Sequence, residues 1–389
     1  MRNLLMVCLM ALLITWSCGT EEKESTSFFG TMGRVIRGSD GRLSMITPAA
    51  QVEFQFSGDT CSVWLSTPVA PANHQYAVLE VDGAYVERIK VDHRNPQRFS
   101  ISVSEKKDWH TVRVVKATEA SNGPLDFHGT TASRIRPVPV QRGLKIEFIG
   151  NSITASMGAD TLSSPCGKGS KWYDQHNAWY SHAAIAGREL NAEFMLTAVS
   201  GAGIYRNWNS DGPAVPQLYG SAYLQADSTR NWDFESWHPD IVTIALGTND
   251  MSPGDGKRPR DKFDSARFIK EYTDFVTRIA AYHPQAQIVL LTSPLKTGRQ
   301  ATMLLNCLQA VRMQCMERNV KTRPLMILEF REMKATGCTG HPLIPEQQEM
   351  ARQVVTFLRM LKDRENRTGH GAVRHPIEPF VAPADKEHS

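Results

Sequence analysis

The pattern of apolar residues changes near residue 139, and no other feature of the chain constrains its fold as strongly. Between residues 28 and 138, short segments such as 52–56 and 110–115 alternate apolar with polar side chains. Turn-forming pairs such as Asp82-Gly83 separate these segments. Alternation with period two, at this spacing, is typical of antiparallel strands in a sandwich or jelly roll. We therefore predict an all-β jelly-roll domain over residues 28–138.

From residue 139 onward, apolar strands alternate with amphipathic helices. The strand-like runs are 145–149, 194–199, 240–246, 287–292 and 324–329. The helical runs are 265–282, 301–318 and 345–361. Uniformly apolar strands are typical of parallel sheets that are buried on both faces, and parallel strands need crossover connections. The pattern therefore predicts an α/β three-layer, flavodoxin-like domain over residues 139–363, followed by a C-terminal tail, 364–389, outside its core.

The first 27 residues are predicted to be a targeting segment with a polar tether. A basic start precedes an apolar run, 4–16, which is too short to span a bilayer comfortably. The run ends at Ser17-Cys18-Gly19, which resembles a bacterial lipoprotein signal with Cys18 as the lipidated first residue of the mature chain. An ordinary secretory signal cleaved nearby is the alternative. Both interpretations predict export, with membrane attachment only through a lipid anchor on the periplasmic face or cell surface.

The charge of the chain argues against nucleic acid as a partner. With 44 Lys and Arg against 40 Asp and Glu, the net charge is only +4, and it is spread evenly. The sequence shows no Walker-type phosphate loop, and its His and Cys residues lack the spacing of metal ligands. We therefore expect no cofactor and no metal. Cys307 and Cys315 fall on a predicted helix and are expected to be buried, whereas disulfide pairing and oligomeric state are left open.

A Gly-Asn-Ser turn ends the first apolar run of the second domain. Ser152 follows residues 146–150, and so stands at the carboxyl end of a strand, where α/β sheets bind their ligands. A serine held on a sharp turn between a strand and a helix can act as a nucleophile, and main-chain N–H groups beside it can stabilise an oxyanion. Taken alone, the turn is explained as simply by a serine that caps a helix.

Three further segments fall where a hydrolase would need them. Gly201 follows the second strand and can present a main-chain N–H group, while Asn249 follows the third strand and can present a side-chain N–H group. His341 precedes the last helix and could take the proton of Ser152. Each segment has an ordinary structural explanation by itself. Together they predict acyl transfer, with Ser152 as nucleophile, His341 as base, and the amides of Ser152 and Gly201 with the Asn249 side chain as oxyanion donors; the neighbouring Asp250 is expected to be structural.

The order of these four blocks resembles the SGNH (GDSL-like) hydrolases. Residues 110–119 and 127–129 also resemble the front domain of carbohydrate esterase family 2, whose members join an N-terminal jelly roll to an SGNH domain. Segments 146–154, 200–204 and 337–342 fit the same family. The resemblance spans residues 28–362 and implies a serine carboxylic-ester hydrolase that removes O-acetyl groups from polysaccharides or oligosaccharides such as xylan or glucomannan.

One part of the family pattern is missing. SGNH hydrolases usually carry Asp three residues before the catalytic His, but Cys338 stands there. Thr339 and Gly340 occupy positions where esterases of this family often carry Asp and Trp. Because no carboxylate lies between Glu332 and His341, we predict a Ser–His dyad. A main-chain carbonyl group can orient the imidazole, and whether it does so or a third catalytic residue exists is left open. The Cys338 thiol is expected to take no part, since a thiol is a weak acceptor.

Aromatic residues flank the motifs and give the sugar-binding candidates. Trp208 and Tyr205 are predicted to contact substrate, with Trp172 as a further candidate, whereas Trp179 and Tyr180 are expected to lie on the buried face of a helix. Two other functions stay open. One is a lipid or thioester hydrolase on the same fold, and the other is a glycan-binding lipoprotein that has lost its activity. The missing Asp favours the second alternative, and the retention of all four motif blocks argues against it.

Overall fold

The computed structural model describes residues 28–139, 143–167, 169–226, 230–257, 259–368 and 380–381. The predicted signal, Cys18 and the tether therefore lie outside the described residues, as does most of the predicted tail. Within the described part of the chain, no helix is both long enough and apolar enough to cross a membrane.

The front domain consists of two antiparallel sheets. Its strands are β1 (Gly30–Met32), β2 (Val35–Arg37), β3 (Leu43–Met45), β4 (Gln51–Phe56), β5 (Thr60–Ser66), β6 (Gln75–Val81), β7 (Ala84–Val91), β8 (Gln97–Ser102), β9 (His110–Lys116), β10 (Leu125–Thr130) and β11 (Ile135–Arg136). One sheet has the order β1-β4-β9-β6-β7, with β11 paired to β4, and the other has the order β2-β3-β10-β5-β8. This arrangement confirms the predicted all-β domain.

Period-two alternation explains how these sheets bury a common core. In β4, Val52, Phe54 and Phe56 are fully buried, whereas the intervening Glu53 and Gln55 are only partly covered. Successive strand residues point to opposite faces, so every second residue of β4 enters the space between the sheets. There the three apolar side chains join a cluster contributed by both sheets, which includes Leu65, Val112 and Phe127.

The second domain is built on a parallel sheet. Its strands are β12 (Lys145–Gly150), β13 (Glu193–Ala198), β14 (Ile241–Ile244), β15 (Gln287–Leu291), β16 (Met326–Glu329) and β17 (Phe380–Val381), in the order β13-β12-β14-β15-β16-β17. Its helices are α1 (His182–Glu189), α2 (Val215–Leu218), α3 (Ser265–Tyr282), α4 (Arg299–Glu317) and α5 (Ile344–Thr368). Because β12 lies between β13 and β14, the strand order reverses at β12, where α/β sheets form their ligand crevice.

The helices cover both faces of this sheet and confirm the three-layer prediction. Helices α1 and α5 pack together on one face, where Phe148 and Phe357 share a core cluster. Helices α3 and α4 pack together on the other face, where Phe268 and Leu308 lie beside Ile244. The uniformly apolar strands predicted from the sequence are thus buried from two sides.

Two predictions about this domain are corrected by the structure. Phe380 and Val381 pair in parallel with Leu328 and Glu329, so part of the predicted tail extends the sheet instead of lying outside it. Trp179 and Tyr180 belong to a short 3-10 turn, Ala178–Tyr180, and are only half-buried, so the expected buried helix face is wrong. The Trp179 indole instead donates a hydrogen bond to Glu80 of the front domain, at 2.7 Å.

The front domain forms hydrogen bonds with the segment that leads into α1. The Arg88 guanidinium donates to the main-chain carbonyl groups of Asp174 and His176, at 2.6 and 2.8 Å. Ala178 N–H donates to the carbonyl group of Ala117, at 3.0 Å. Apolar residues of β6 and β9 also join the core cluster under the parallel sheet. The two domains therefore share a packed interface, and it lies next to the strand ends that carry the predicted site.

Candidate active site

The turn after β12 carries Ser152, which is largely buried. A side chain at Gly150 would place its Cβ 2.1 Å from Thr154 Oγ1, so only glycine permits this turn. Asn151 Oδ1 accepts the N–H group of Ile153, at 3.2 Å. The expected helix does not begin here: residues 151–158 form consecutive turns, and α1 starts only at His182. Among the described residues, the main-chain N–H group of Ser152 has no protein acceptor.

The segment after β13 presents the second N–H group. Gly201 has a φ of +77°, a backbone conformation that glycine adopts without strain. Its carbonyl oxygen accepts the N–H group of Trp208, at 2.7 Å. Within the described part of the chain, the Gly201 N–H group itself has no protein acceptor. It is therefore available to a ligand, and its role as an oxyanion donor stays a prediction.

The segment after β14 contacts the segment after β13 through Asn249 and Asp250. The Asn249 side-chain amide donates to the carbonyl group of Ala202, at 2.8 Å, which leaves its second N–H free to act as a donor. The adjacent Asp250 carboxylate accepts main-chain N–H groups from Ile204 and Tyr205, at 2.9 and 3.0 Å. Burial raises the pKa of Asp250, and these hydrogen bonds oppose the rise. Asp250 therefore shapes the loop after Gly201, in keeping with its predicted structural role.

His341 reaches the nucleophile. Its Nε2 lies 2.8 Å from Ser152 Oγ, which is hydrogen-bonding distance. Burial, with a further contribution from the charge of His176, lowers the pKa of His341 to about 4, against the opposing influence of the carbonyl groups of Cys338 and Thr339 and of the Glu119 carboxylate. At neutral pH the imidazole is therefore uncharged and can accept a proton.

The group that orients His341 was not predicted. Thr339 Oγ1 lies 3.0 Å from His341 Nδ1, and the Thr339 hydroxyl donates to the Cys338 carbonyl group, at 2.7 Å. With its single proton so used, the Thr339 oxygen accepts Nδ1–H, and Nε2 is left as an acceptor for Ser152. The Thr339 hydroxyl is thus a partner of the imidazole, beside the main-chain carbonyl groups of Cys338 and Thr339. The sequence held one signal for it, because Thr339 stands where related esterases often carry Asp.

A disulfide joins the loop that carries His341 to the segment before α1. Cys338 pairs with Cys166, with a Cα–Cα distance of 5.6 Å. Its sulfur is therefore not a free thiol, in keeping with the expectation that Cys338 takes no part in catalysis. Cys307 and Cys315 are buried and unpaired on α4, as predicted, and Cys61 is buried and unpaired in β5.

The aromatic candidates differ in exposure. Trp208 is 40% exposed and Trp172 is 46% exposed, so both present ring surface to solvent. Tyr205 is half-buried, since its hydroxyl accepts the N–H group of Asp264 at 3.0 Å and its ring faces Phe263. Trp208 borders a surface cavity with a largely polar lining that includes Asp211. Within the described ranges, no group of three or more His, Cys, Asp or Glu side chains is placed to hold a metal ion.

Both domains of the chain match known protein families. Residues 31–139 match the carbohydrate esterase 2 N-terminal family, and residues 148–320 match the GDSL-like Lipase/Acylhydrolase family. The acetylxylan esterase / glucomannan deacetylase of Cellvibrio japonicus is 24% identical over 370 residues, which cover 90% of this chain and 98% of the relative. The cellulase/esterase CelE of Acetivibrio thermocellus is 29% identical over 260 residues, covering 64% of this chain and 30% of the relative.

Solved structures with a similar fold extend the comparison. A family two carbohydrate esterase from Clostridium thermocellum, in complex with cellohexaose, superposes with a TM-score of 0.74 at 24% identity. The superposition covers 86% of this chain and 99% of that chain, and so includes both domains.

Proposed function

We propose that this chain, which matches the GDSL-like hydrolase family and is similar to family 2 carbohydrate esterases, removes O-acetyl groups from polysaccharides or oligosaccharides outside the cytoplasm. The single observation that carries the proposed chemistry is the 2.8 Å contact between Ser152 Oγ and His341 Nε2. A serine within hydrogen-bonding distance of an uncharged imidazole is the arrangement that activates a hydroxyl for attack on an ester.

The proposed reaction proceeds in two halves. His341 takes the hydroxyl proton as Ser152 attacks the acetyl carbonyl carbon, and the carbonyl oxygen becomes an oxyanion. The main-chain N–H groups of Ser152 and Gly201 and the free N–H of Asn249 stabilise that charge. His341 then gives its proton to the leaving sugar oxygen, which leaves an acetyl group on Ser152. Water attacks this ester with His341 again as base, and acetate departs as Ser152 regains its proton.

Thr339 takes the place of the acidic residue in this proposal. By accepting Nδ1–H it holds the imidazole in the tautomer whose Nε2 can accept the Ser152 proton. A hydroxyl carries no charge, so it stabilises the imidazolium that forms during the reaction less than a carboxylate would. We therefore assign the chemistry to a Ser–His dyad that a neutral hydroxyl orients.

An acetylated glycan is the substrate that suits the site and the relatives best. The exposed rings of Trp172 and Trp208 offer flat apolar surfaces, and the cavity beside Trp208 has a largely polar lining suited to hydroxyl groups. The disulfide between Cys166 and Cys338 favours an oxidising compartment, which agrees with the export that we propose from the N-terminal segment. Lipid attachment at Cys18 is part of the same proposal.

Acetate release by the mature chain tests this function. We expect Ser152-dependent turnover of p-nitrophenyl acetate and release of acetate from acetylated xylan or glucomannan, with Ser152→Ala as the control. The proposal fails if octanoyl esters are turned over faster than acetyl esters, which would indicate a lipid hydrolase. It also fails if the protein binds the glycans without Ser152-dependent acetate release, which would indicate a binding protein.

A further inference from the structure

Glu119 of the front domain lies buried against the active-site segment of the hydrolase domain. It stands between β9 and a short 3-10 turn, Ala120–Asn122, and its side chain is fully buried. A buried carboxylate is strongly disfavoured unless other groups satisfy its charge and its hydrogen-bonding capacity. The groups that stabilise the buried Glu119 carboxylate therefore indicate its role.

Most of these partners belong to the hydrolase domain. Each carboxylate oxygen of Glu119 lies 3.2 Å from the main-chain nitrogen of Ser200, which donates to them. The Ser200 hydroxyl donates as well, and so does the hydroxyl of Ser121 from the front domain. His176 Nε2 lies 3.7 Å from a carboxylate oxygen of Glu119. Burial raises the pKa of Glu119, but His176 and the two serine hydroxyls outweigh it, so the pKa lies below its usual value and the carboxylate stays ionised.

Ser200 shares its following peptide group with Gly201. The direction of the Gly201 N–H therefore depends on how Ser200 is held and on the φ of a glycine, which has little preference of its own. On the far side, the Gly201 carbonyl group is fixed by the Trp208 N–H group. On the near side, the side chain that holds Ser200 by both its N–H and its hydroxyl is that of Glu119.

We infer that Glu119 is a positioning residue for the oxyanion site: its carboxylate anchors Ser200 and thereby aims the Gly201 N–H at the reacting carbonyl oxygen. This inference rests on the proposed function, since it assigns a role within the same reaction. It also gives the front domain a part in catalysis, because the hydrolase domain by itself lacks the side chain that anchors this segment.

The same carboxylate acts on the base through space. Its negative charge raises the pKa of His341, whereas His176 lowers it. Loss of the charge would therefore make the imidazolium harder to form as Ser152 is deprotonated. A variant at this position should lower the rate of the chemical step and move the acid limb of the pH profile to lower pH, which a purely structural role would not do.

The test compares Glu119→Gln with the unaltered mature chain on p-nitrophenyl acetate. We expect kcat to fall by about 10- to 100-fold, with KM within about twofold and the acid limb at lower pH, because a misaimed donor affects mainly the transition state. Ser121→Ala is the comparison variant, since Ser121 donates to the same carboxylate without contacting Ser200; its kcat should fall less than that of Glu119→Gln, because Ser200 keeps its anchor.

Ser200→Ala provides an independent variant that keeps the buried charge. It removes one hydrogen bond to Glu119, and kcat should fall by about 3- to 10-fold. If Glu119→Gln does not fold, this variant decides, and an unchanged kcat in Ser200→Ala overturns the inference. It is also overturned if Glu119→Gln folds with unchanged kcat and pH profile. Absence of Ser152-dependent turnover of every ester in the unaltered chain would instead overturn the proposed function as well.

Discussion

The two sides of the candidate active site are held in different ways. Ser152, Gly201 and Asn249 follow β12, β13 and β14, which pair in parallel with Ile149 opposite both Thr197 and Ile244. Backbone pairing alone therefore brings the three donors to one edge of the sheet. His341 does not directly follow a strand. It lies on a loop that is held by contacts among its own residues, and Thr339 adopts a φ of +55° within this loop. The donor side is thus a product of regular structure, and the base side is a product of loop chemistry.

This difference separates two kinds of effect. Changes at Gly201 or Asn249 remove stabilisation of the oxyanion and leave proton transfer between Ser152 and His341 intact. Changes on the base side alter the tautomer, orientation and pKa of His341 and leave the oxyanion donors in place. Kinetics and pH profiles should therefore distinguish the two sides.

The largest effect is expected where the two sides meet. Ser152→Ala and His341→Ala should each reduce kcat by about 10⁶-fold, and the double variant should be no worse than either, because the pair acts as one unit. The measurement is the steady-state rate of acetate release at high enzyme concentration. An additive double variant, or a His341→Ala protein that keeps a few per cent of the activity, would contradict the pairing of these residues.

Loss of one donor should come next. Asn249→Ala should lower kcat by about 10²- to 10³-fold with a nearly unchanged KM, because the Asn249 N–H contributes mainly in the transition state. Thr248→Ala, a half-buried neighbour on the same turn, is the matched control and should stay within about twofold. Since Asn249 also holds the Ala202 carbonyl group, thermal unfolding of both variants is measured alongside. Unchanged kcat in a folded Asn249→Ala protein would remove Asn249 from the proposed oxyanion site.

The contrast between the sides also explains what the sequence could predict. Strand ends are readable from apolar runs, so the positions of Ser152, Gly201 and Asn249 followed from the pattern together with the family resemblance. The partner of His341 depends on a left-handed backbone at Thr339, which a β-branched residue adopts rarely and which no local pattern announces. Glu119 was equally hidden, because its contact with Ser200 exists only once the two domains pack together. The disulfide between Cys166 and Cys338 joins residues 172 apart, and nothing in the sequence singles out this pair among the seven cysteines.

A smaller effect should come from the group behind the base. Thr339→Val keeps the shape and β-branching of the side chain but removes the acceptor, and kcat should fall by about tenfold as the productive tautomer loses its support. Thr339→Asp places a carboxylate at the same position, which should raise the pKa of His341 and move the acid limb to higher pH. Matched pH profiles of the two variants provide the measurement. If Thr339→Val keeps full activity, the main-chain carbonyl groups of Cys338 and Thr339 are sufficient to orient His341.

The smallest effect is expected for the unaltered enzyme, whose activity should change little over the pH range in which most hydrolases are assayed. Because the pKa of His341 is lowered to about 4 from the usual 6.5, the base stays uncharged down to mildly acidic pH, and kcat/KM should fall only as the pH drops through about 4. His182, whose pKa burial also lowers to about 4, adds a stability effect of the same sign. Both imidazoles bind protons more readily in the unfolded chain, so stability falls as the pH drops below about 6.5. The folded fraction is therefore followed by tryptophan fluorescence at each pH, and a limb near 6.5 in fully folded protein would show that burial does not control the base.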